Sequence, residues 1–239
     1  MAISRILAPN PGPMTLDGTN TWVLDEGIVV DPGPLIESHV EAVCDRDVRL
    51  VLVTHHHVDH TEAVDEVHAR TGAPVRALDA AWCRSAPPLA DGEELPGGVR
   101  VLATPGHTAD SVSFVTPEGV LTGDTVLGRG TTVIADPDGD LAAFLSSLDR
   151  LERLGELPVF PAHGDELPSI ERIAREYRDH RLERLDQVRR ALAAANVRAE
   201  EDEALEVIVN AVYSDVDSRL LPAVEATVRA QLAYVRQSG

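Results

Sequence analysis

A cluster of metal-ligand side chains directly after a buried strand is the feature that most constrains this chain. Leu50–Val53 is a continuous apolar run of strand length, and His55, His57, Asp59 and His60 follow it closely. Imidazole and carboxylate groups suit zinc and neighbouring divalent metals. On a loop that turns alternate side chains to one point, His55 and His57 can share one metal while Asp59 and His60 reach a second. The motif therefore predicts a metal centre at the end of this strand.

Four side chains cannot complete the ligand shells of two metals, so further ligands should follow along the chain. His107, Asp124 and His163 each come just after an apolar, strand-like run. Glycine stands beside each of them, as tight turns at strand ends require. Any one of these short strings fits an ordinary turn, but the three in this order after the first motif favour a completed two-metal centre.

The rest of the chain divides into a strand-rich body and a helical tail. Strand patterns vanish after about residue 166, and long helical patterns take over. The predicted strands are Thr21–Leu24, Ile28–Asp31, Leu50–Val53, Val75–Leu78, Val99–Ala103, Ser111–Val115 and Gly119–Thr122. The predicted helices are Thr61–Arg70, Asp140–Leu154, Ser169–Ala195, Glu203–Tyr213 and Leu220–Arg236.

The ligand pattern resembles that of the metallo-β-lactamase superfamily. The residues from His55 to His60 match its HxHxDH motif, and the three later ligands match its later motifs. The resemblance implies an α/β fold, a four-layer αβ/βα sandwich with the metals at one edge of its two sheets. It also implies two ligand sets bridged by Asp124: a first group of His55, His57 and His107, and a second group of Asp59, His60 and His163.

The resemblance and metal chemistry together predict a zinc-dependent hydrolase, with manganese or iron as the alternative metals. Two divalent metals about 3.5–4 Å apart can hold a bridging hydroxide at neutral pH and polarise the oxygen of an ester-like bond. Asp59 is the candidate catalytic residue, because it can orient that nucleophile as well as bind metal.

Further segments resemble the β-lactamase-like protein 2 subfamily, which is endoribonuclease-like and thioesterase-like. They are Asn10–Pro13 and Thr15–Thr21, Gly128–Thr132, and the pattern Tyr177, His180, Arg181, Arg184 and Gln187 on the long helix. The resemblance covers nearly the whole chain. It implies a catalytic domain over residues 1–170 and a small helical, winged-helix-like domain over residues 171–239. We expect little or no β-wing, because the sequence given stops at Gly239.

Candidate substrate contacts lie outside the metal ligands. Asn20 and Arg129 belong to the matching segments, and His180 and Arg184 are i,i+4 neighbours on one face of the long helix. The alternative for His180 and Arg184 is a solvated, ion-paired surface, because acidic residues are interleaved with them. Asp31, at the end of a predicted strand, either supports a histidine ligand or only forms an Asp-Pro-Gly turn.

Composition bears on the substrate. The formal net charge is −19, all 21 basic residues are arginine, and aromatic residues make up 3% of the chain. An acidic chain repels a polyanion, and few aromatics leave few surfaces on which bases stack. A small-molecule thioester or lactone is therefore slightly favoured as the substrate. The alternative is a single-strand endoribonuclease acting on RNA, and a further alternative is an iron-dependent redox enzyme.

Composition also limits location and partners. No apolar run approaches the ~20 residues that span a bilayer, and the N-terminus carries no secretory signal. We therefore expect a cytoplasmic protein without a membrane or DNA partner, while the oligomeric state stays open.

Overall fold

Two five-stranded sheets form the centre of the computed structural model, which describes residues 2–214, 216 and 220–238. The strands of the first sheet lie side by side in chain order: β1 (Ile3–Leu7), β2 (Asn20–Leu24), β3 (Ile28–Val30), β4 (Leu50–Leu52) and β5 (Val75–Arg76). The second sheet contains β6 (Glu94–Leu95), β7 (Val99–Ala103), β8 (Val112–Thr116), β9 (Gly119–Gly123) and β10 (Val159–Pro161), and its neighbouring strands are likewise consecutive in the chain. Both sheets are mixed, because β3, β4 and β5 pair in parallel, as do β9 and β10, while the other pairs are antiparallel.

Helices cover the outer face of each sheet and complete a four-layer sandwich. The helices are α1 (Glu37–Cys44), α2 (Val58–Thr61), α3 (Val64–Thr71), α4 (Leu141–Glu152), α5 (Ile170–Ala195), α6 (Ala204–Val212) and α7 (Leu221–Ser238). Helices α1 and α3 pack on the first sheet through a valine-rich cluster, and α4 and α5 pack on the second sheet. The predicted αβ/βα sandwich is confirmed.

The alternation of side chains along β4 shows why its sequence is apolar throughout. Val51 and Val53 belong to the cluster beneath α1 and α3, whereas Leu52 belongs to the cluster between the two sheets. Successive side chains of a strand point to opposite faces, so a strand covered on both faces reads as a continuous apolar run. The interpretation of Leu50–Val53 as a strand buried on both faces is therefore confirmed.

The predicted helix over Thr61–Arg70 is instead two short helices, α2 and α3. The Thr61 hydroxyl donates to the carbonyl of His57 at 2.9 Å, a bond from the last residue of α2 back to the residue before its first turn. The Ala63 backbone N–H then donates to the Gly33 carbonyl at 3.0 Å, outside any helix. Hydrogen bonds to other parts of the fold thus divide a segment whose sequence pattern predicts one continuous helix. Helix α3 ends as expected at Gly72, whose left-handed φ of 70° suits glycine.

Three elements, β1, α1 and β6, have no counterpart among the predicted strands and helices, whereas β10 lies in the strand-like run expected before His163. Strand β6 has only two residues, which is too short for a periodic pattern to form. Helices α4 and α5 begin after side-chain caps, since Asp140 accepts from the Ala143 N–H at 2.8 Å and Ser169 accepts from the Arg172 N–H at 3.3 Å.

The C-terminal helical segment consists of α5, α6 and α7. The first half of α5 packs against α4 and the second sheet, and its second half packs against α6 and α7. The boundary predicted between residues 170 and 171 stays a prediction, because α5 contributes to both clusters. The winged-helix-like character also stays a prediction. No described helix combines the length and the apolar composition that crossing a bilayer demands.

Candidate metal centre

The ligand candidates lie on the loops that leave β4, β7, β9 and β10. Strands β7, β9 and β10 run in the same direction, so their carboxyl ends share one edge of the second sheet. The ends of β4 and β9 approach closely, because a Cβ on Gly123 would lie 2.6 Å from the Thr54 hydroxyl oxygen. Gly123 also has a φ of 51°, which favours glycine. The two sheets therefore bring their ligand loops to a common edge.

The first group forms a compact cluster of ring nitrogens. His55 Nε2 lies 3.0 Å from His57 Nδ1, and His57 Nδ1 lies 3.1 Å from His107 Nε2. A tetrahedral ion bound at about 2.0–2.1 Å holds two imidazole nitrogens about 3.3 Å apart. The spacing of the three nitrogens is thus close to that of three ligands around one ion.

The second group mixes one carboxylate with two imidazoles. Asp59 Oδ2 lies 3.4 Å from His60 Nε2 and 3.3 Å from His163 Nε2. The ligand atoms of these three residues all lie within 4.8 Å of one another, a separation that one ion can span.

Asp124 lies between the two groups, with one oxygen directed to each. Its Oδ2 is 3.6 Å from His107 Nε2 and 4.0 Å from His55 Nε2. Its Oδ1 is 3.7 Å from His60 Nε2 and 3.3 Å from His163 Nε2. A single carboxylate therefore serves both groups.

Two buried atoms show that the residues fit divalent cations. His60 Nε2 and Asp124 Oδ1 are fully buried, and neither has a hydrogen-bond partner among the described residues. Burying such groups without a partner is costly, and a bound cation removes that cost. The set of imidazole and carboxylate donors is one that zinc, manganese or iron accepts.

Hydrogen bonds on the far side of the rings fix the orientation of four histidines. Nδ1 of His60 donates to Asp31 Oδ2 at 2.9 Å, and Nδ1 of His55 donates to the Thr54 hydroxyl at 3.0 Å. Nδ1 of His107 donates to the Val133 carbonyl at 2.8 Å, and Nδ1 of His163 donates to the Gly18 carbonyl at 3.2 Å. Each proton on Nδ1 leaves the Nε2 lone pair directed into the centre, which is the tautomer that binds metal.

Asp31 supports a histidine ligand, the first of the two alternatives that its sequence leaves open. Its carboxylate accepts from His60, from the Thr54 backbone N–H at 2.7 Å and from the Thr54 hydroxyl at 2.8 Å. Its φ of 54° is unusual for a residue other than glycine. The turn therefore places the Asp31 carboxylate between the carboxyl end of β4, where it bonds Thr54, and the second group, where it bonds His60.

The protonation of the histidines differs between the two groups. Burial, together with the neighbouring His107, lowers the pKa of His57 to about 4, and burial lowers the pKa of His55 well below its ordinary value. Burial also lowers the pKa of His60, but the carboxylates of Asp31 and Asp124 outweigh it and raise that pKa to about 9. For His163, Asp124 and Asp59 likewise outweigh burial and raise the pKa to about 10.

The two carboxylates of the centre stay ionised. Burial alone would raise the pKa of Asp59, yet its hydrogen bond with His163 lowers that pKa to about 2. The pKa of Asp124 also falls well below its ordinary value, because His163 and His60 outweigh the effect of burial. Both groups can therefore act as anionic ligands at neutral pH.

The four predicted substrate residues occupy different surroundings. Arg129 lies on the loop after Asp124, and its guanidinium makes bonds of 2.7 and 3.1 Å to the exposed carboxylate of Asp17. His180 is exposed on α5, where its predicted contact stays a prediction. Arg184 lies over the Tyr213 ring at 5.0 Å and donates to Gln187 at 2.8 Å, both within the helical segment. The substrate contacts predicted for Arg129 and Arg184 stay predictions.

Asn20, the fourth predicted substrate contact, is buried beside the turn that carries His163. It is 1% exposed, and its amide donates to the carbonyls of Pro161 and Gly164 at 2.9 and 2.8 Å. It thus joins the turn that carries His163 to the start of β2. Its Oδ1 is buried without a hydrogen-bond partner among the described residues, and the predicted contact of Asn20 with a substrate stays a prediction.

Several contacts of the centre leave no signal in the sequence. Gly18 and Val133 act through backbone carbonyls, which every residue type carries. The Thr19 hydroxyl donates to Asp59 Oδ2 at 2.9 Å, and Thr19 was visible only as part of a matching segment. His56 turns away from the ligands, as an extended loop predicts, and bonds Asp110 Oδ1 at 2.8 Å.

Comparison with known proteins agrees with the fold and with the resemblance to the metallo-β-lactamase superfamily. The family model for the metallo-beta-lactamase superfamily matches residues 14–98 and 84–163. A protein named Beta-lactamase-like protein 2 homolog from Drosophila melanogaster is 30% identical over all of this chain and 89% of its own length. An atrochrysone carboxyl ACP thioesterase from Pseudocercospora fijiensis is 32% identical, over 99% of this chain and 78% of its own.

Solved structures show the same architecture. A metallo-beta-lactamase family protein from Thermus thermophilus superposes with a TM-score of 0.79 at 22% identity, covering 99% of this chain and 94% of that one. A second structure, described as a di-iron-bound form, is 29% identical over 69% of this chain and 94% of its own, with a TM-score of 0.57.

Proposed function

The chain belongs to the metallo-beta-lactamase superfamily, and from that membership we propose that it is a dinuclear metal hydrolase that cleaves an ester-like bond. The observation that carries the proposal is Asp124, whose two oxygens face two separate ligand groups. A carboxylate shared in this way is what a pair of adjacent cations needs, and pairs of cations are typical of hydrolytic centres.

The first and second groups would each hold one divalent cation, with Asp124 between them. When bound, such cations act as Lewis acids that polarise a substrate oxygen and lower the pKa of water. We propose zinc for both positions, with manganese or iron as alternatives that the same donors accept. The di-iron relative is a reason to measure the metal directly.

We assign Asp59 a second task in addition to its place in the second group. The carboxylate is 22% exposed, more than the 12% of Asp124, and its Oδ2 is fixed by the Thr19 hydroxyl. Because its low pKa keeps it ionised, Asp59 would accept a hydrogen bond from a water at the mouth of the site and orient that water.

The proposed substrate is a small-molecule thioester or lactone. The similarity to an ACP thioesterase over 99% of this chain supports hydrolysis of a thioester. The charges support a small substrate over RNA, since Arg129 is paired with Asp17 and Arg184 with groups of its own helical segment. The net charge of −19 adds a long-range repulsion of polyanions.

A substrate panel tests this proposal. Metal-free protein would be reloaded with zinc, manganese or ferrous iron, and assayed against acyl thioesters, lactones, phosphodiesters and single-stranded RNA. We expect thioester or lactone turnover that is lost in His163→Ala. His68→Ala is the matched control, because this half-buried histidine of α3 bonds the Ala73 carbonyl just after the helix rather than any residue of the two ligand groups.

Each outcome decides between named functions. Nuclease activity that His163→Ala abolishes, with no thioester turnover, would replace the proposed substrate by single-stranded RNA. Oxygen uptake by the iron-loaded protein without any hydrolysis would favour redox chemistry. Failure of metal-free protein to bind any divalent cation would overturn the dinuclear centre itself.

A further inference from the structure

Helix α5 contacts the segment that follows Asp124, here called the support segment (Leu127–Val133). The support segment supplies two of the contacts that orient His107: the Val133 carbonyl at 2.8 Å and the Thr132 hydroxyl at 3.2 Å, both to Nδ1. His107 is the member of the first group that comes from the second sheet. The position of this ligand therefore depends on how firmly the support segment is held.

Tyr177 of α5 binds the beginning of the support segment. The Leu127 backbone N–H donates to the Tyr177 hydroxyl at 3.1 Å, and that hydroxyl donates to the Gly130 carbonyl at 2.9 Å. Tyr177 is buried, and burial raises its pKa to about 12, so its hydroxyl stays protonated and able to donate. One side chain thus closes the segment into a loop.

Arg181, one turn further along α5, binds the end of the same segment. Its guanidinium donates to the Thr132 carbonyl and lies over the Phe144 ring, 5.5 Å from the ring centroid. Arg181 is 6% exposed, and no carboxylate among the described residues forms an ion pair with it. Its Nε is buried without a hydrogen-bond partner among the described residues.

A buried arginine without a carboxylate is costly to fold. Desolvation of a cation is repaid only when good geometry and hydrogen bonds compensate. Here burial lowers the pKa of Arg181, which is the sign of that cost. The buried charge of Arg181 therefore needs an explanation, such as a contact that a neutral side chain could not make. The guanidinium offers a planar fork of donors that reaches a carbonyl from beneath while stacking on an aromatic ring.

We propose that Arg181 and Tyr177 are positioning residues of the first group. They hold the support segment so that the Val133 carbonyl and the Thr132 hydroxyl keep His107 Nε2 directed at the cation. The C-terminal helical segment is then part of the machinery of the centre. This inference rests on the proposed function in one respect, which is that the first group binds a cation.

Cation binding tests the inference without any substrate. Metal-free protein would be titrated with cobalt(II), and the visible absorption bands would report the geometry of each bound ion. Arg181→Met should weaken one of the two cations by about 10–100-fold, the range typical of partners that orient a ligand. Arg181→Lys keeps the charge and one donor, so it should restore part of the loss.

The matched control is Arg178→Met on the same helix. Arg178 is also an arginine of α5, but it faces α4 and pairs with Asp149 and Glu152 rather than with the support segment. This variant should lose some stability while keeping both cobalt affinities and the absorption bands. If Arg181→Met does not fold, Tyr177→Phe replaces it, because that change deletes only the hydroxyl that binds Gly130.

A double-mutant cycle identifies which cation is affected. In a His57→Ala background the first group is already broken, so Arg181→Met should not weaken the remaining cation further. Two outcomes would overturn the inference: unchanged cobalt affinities in both Arg181→Met and Tyr177→Phe, or an equal loss at both cations. If the unsubstituted chain binds no cobalt, the proposed function fails instead, so the two failures are distinguishable.

Discussion

The first and second groups contain similar ligands but are surrounded by opposite kinds of neighbours. The histidines of the first group face one another, and their far-side partners are the neutral Thr54 hydroxyl and the Val133 carbonyl. The histidines of the second group lie among carboxylates, those of Asp31, Asp59 and Asp124. Imidazoles are thus kept neutral in one group and favoured as cations in the other.

This difference teaches how the protein folds around a dense set of ligands. In the second group, internal ion pairs compensate the buried charges, so that half of the centre is stabilised by the chain itself. In the first group, three ring nitrogens face one another with the Asp124 oxygen as their nearest anion. We therefore expect the first group to depend more strongly on a bound cation for its order.

The largest expected effect comes from removing what the two groups share. Asp124→Ala deletes the only carboxylate that reaches both groups among the described residues, so both cations should be lost together. Turnover should fall by more than about 100-fold, beyond the range seen for partners that merely orient a ligand. Metal analysis after gel filtration and a hydrolysis assay measure the two effects.

Asp47→Ala is the control for that variant, because Asp47 is an exposed aspartate paired only with Arg49. Retention of one full equivalent of metal in Asp124→Ala would break the comparison, since it would show that one group binds a cation unaided. That result would reduce Asp124 to a ligand of the other group.

A smaller and one-sided effect is expected from Asp31→Asn. Asparagine keeps the shape and tolerates the φ of 54°, but its amide turns a donor toward His60 Nδ1 or the Thr54 hydroxyl, where an acceptor is needed. We expect the second cation to bind about 10–100-fold more weakly, while the first cation is affected little. Titration of metal-free protein with a chromophoric chelator as competitor measures both affinities.

Thr132→Val is the reciprocal variant for the first group, since it removes only the hydroxyl 3.2 Å from His107 Nδ1. The Val133 carbonyl remains, so the loss at the first cation should be smaller than that caused by Asp31→Asn at the second. An equal weakening of both cations in Asp31→Asn would contradict the division into separately supported groups.

The metal centre was easier to predict than its surroundings. The ligand candidates stand out because histidine and aspartate clusters beside glycine at strand ends are rare by chance, and the structure brings all seven to one edge. Whether these residues bind metal stays a prediction that the variants above address. Contacts made through backbone carbonyls, such as that of Gly18, carry no side-chain signal.

The sequence was least informative where tertiary contacts decide the role of a polar side chain. For Asn20 and Arg184, which are predicted substrate contacts, no pattern in the sequence indicated the bonds from Asn20 to the turn of His163 or the packing of Arg184 on the Tyr213 ring. Arg181 was visible only as part of a family pattern, because burial of an arginine depends on packing between α4 and α5. Fold type follows from periodicity, whereas these roles follow from which loops meet.

The free energy of unfolding of metal-free protein should pass through a maximum with pH, because the first group causes a loss on the acidic side and the second group a loss on the alkaline side. His57 has a folded pKa of about 4, below its ordinary value of 6.5, so the unfolded chain binds more protons between these values and stability falls as the pH drops through them. His60 and His163 have folded pKa values of about 9 and 10, so the folded chain binds more protons there and stability falls as the pH rises from 6.5 to 10. Urea unfolding over pH 4–10 in the presence of a chelator measures both slopes.

Two variants and excess zinc sharpen this result. His57→Ala should flatten the acidic slope, and His60→Ala should flatten the alkaline slope. With zinc in excess the alkaline slope should disappear or reverse, because a cation binds only the deprotonated imidazoles. An alkaline slope that survives in a variant lacking both His60 and His163 would show that other groups cause it.

The smallest expected effect concerns the exposed pair between Asp17 and Arg129, which joins a loop of the second group to the support segment of the first. Asp17 precedes Gly18, whose carbonyl accepts from His163, and Arg129 follows Gly128, whose N–H donates to the His163 carbonyl at 2.8 Å. Both side chains are more than half exposed, so Arg129→Gln should leave the free energy of unfolding almost unchanged. If Arg129 also contacts substrate, KM for a negatively charged ester should rise in this variant while kcat and the KM of a neutral ester stay unchanged.

Asp17→Asn separates the two roles of Arg129, because it removes the same ion pair but leaves the guanidinium free. This variant should lower the KM of the charged ester. A parallel change in both variants would mean that the pair acts only by joining the loops, and the two groups would then be coupled through their surface as well as through Asp124.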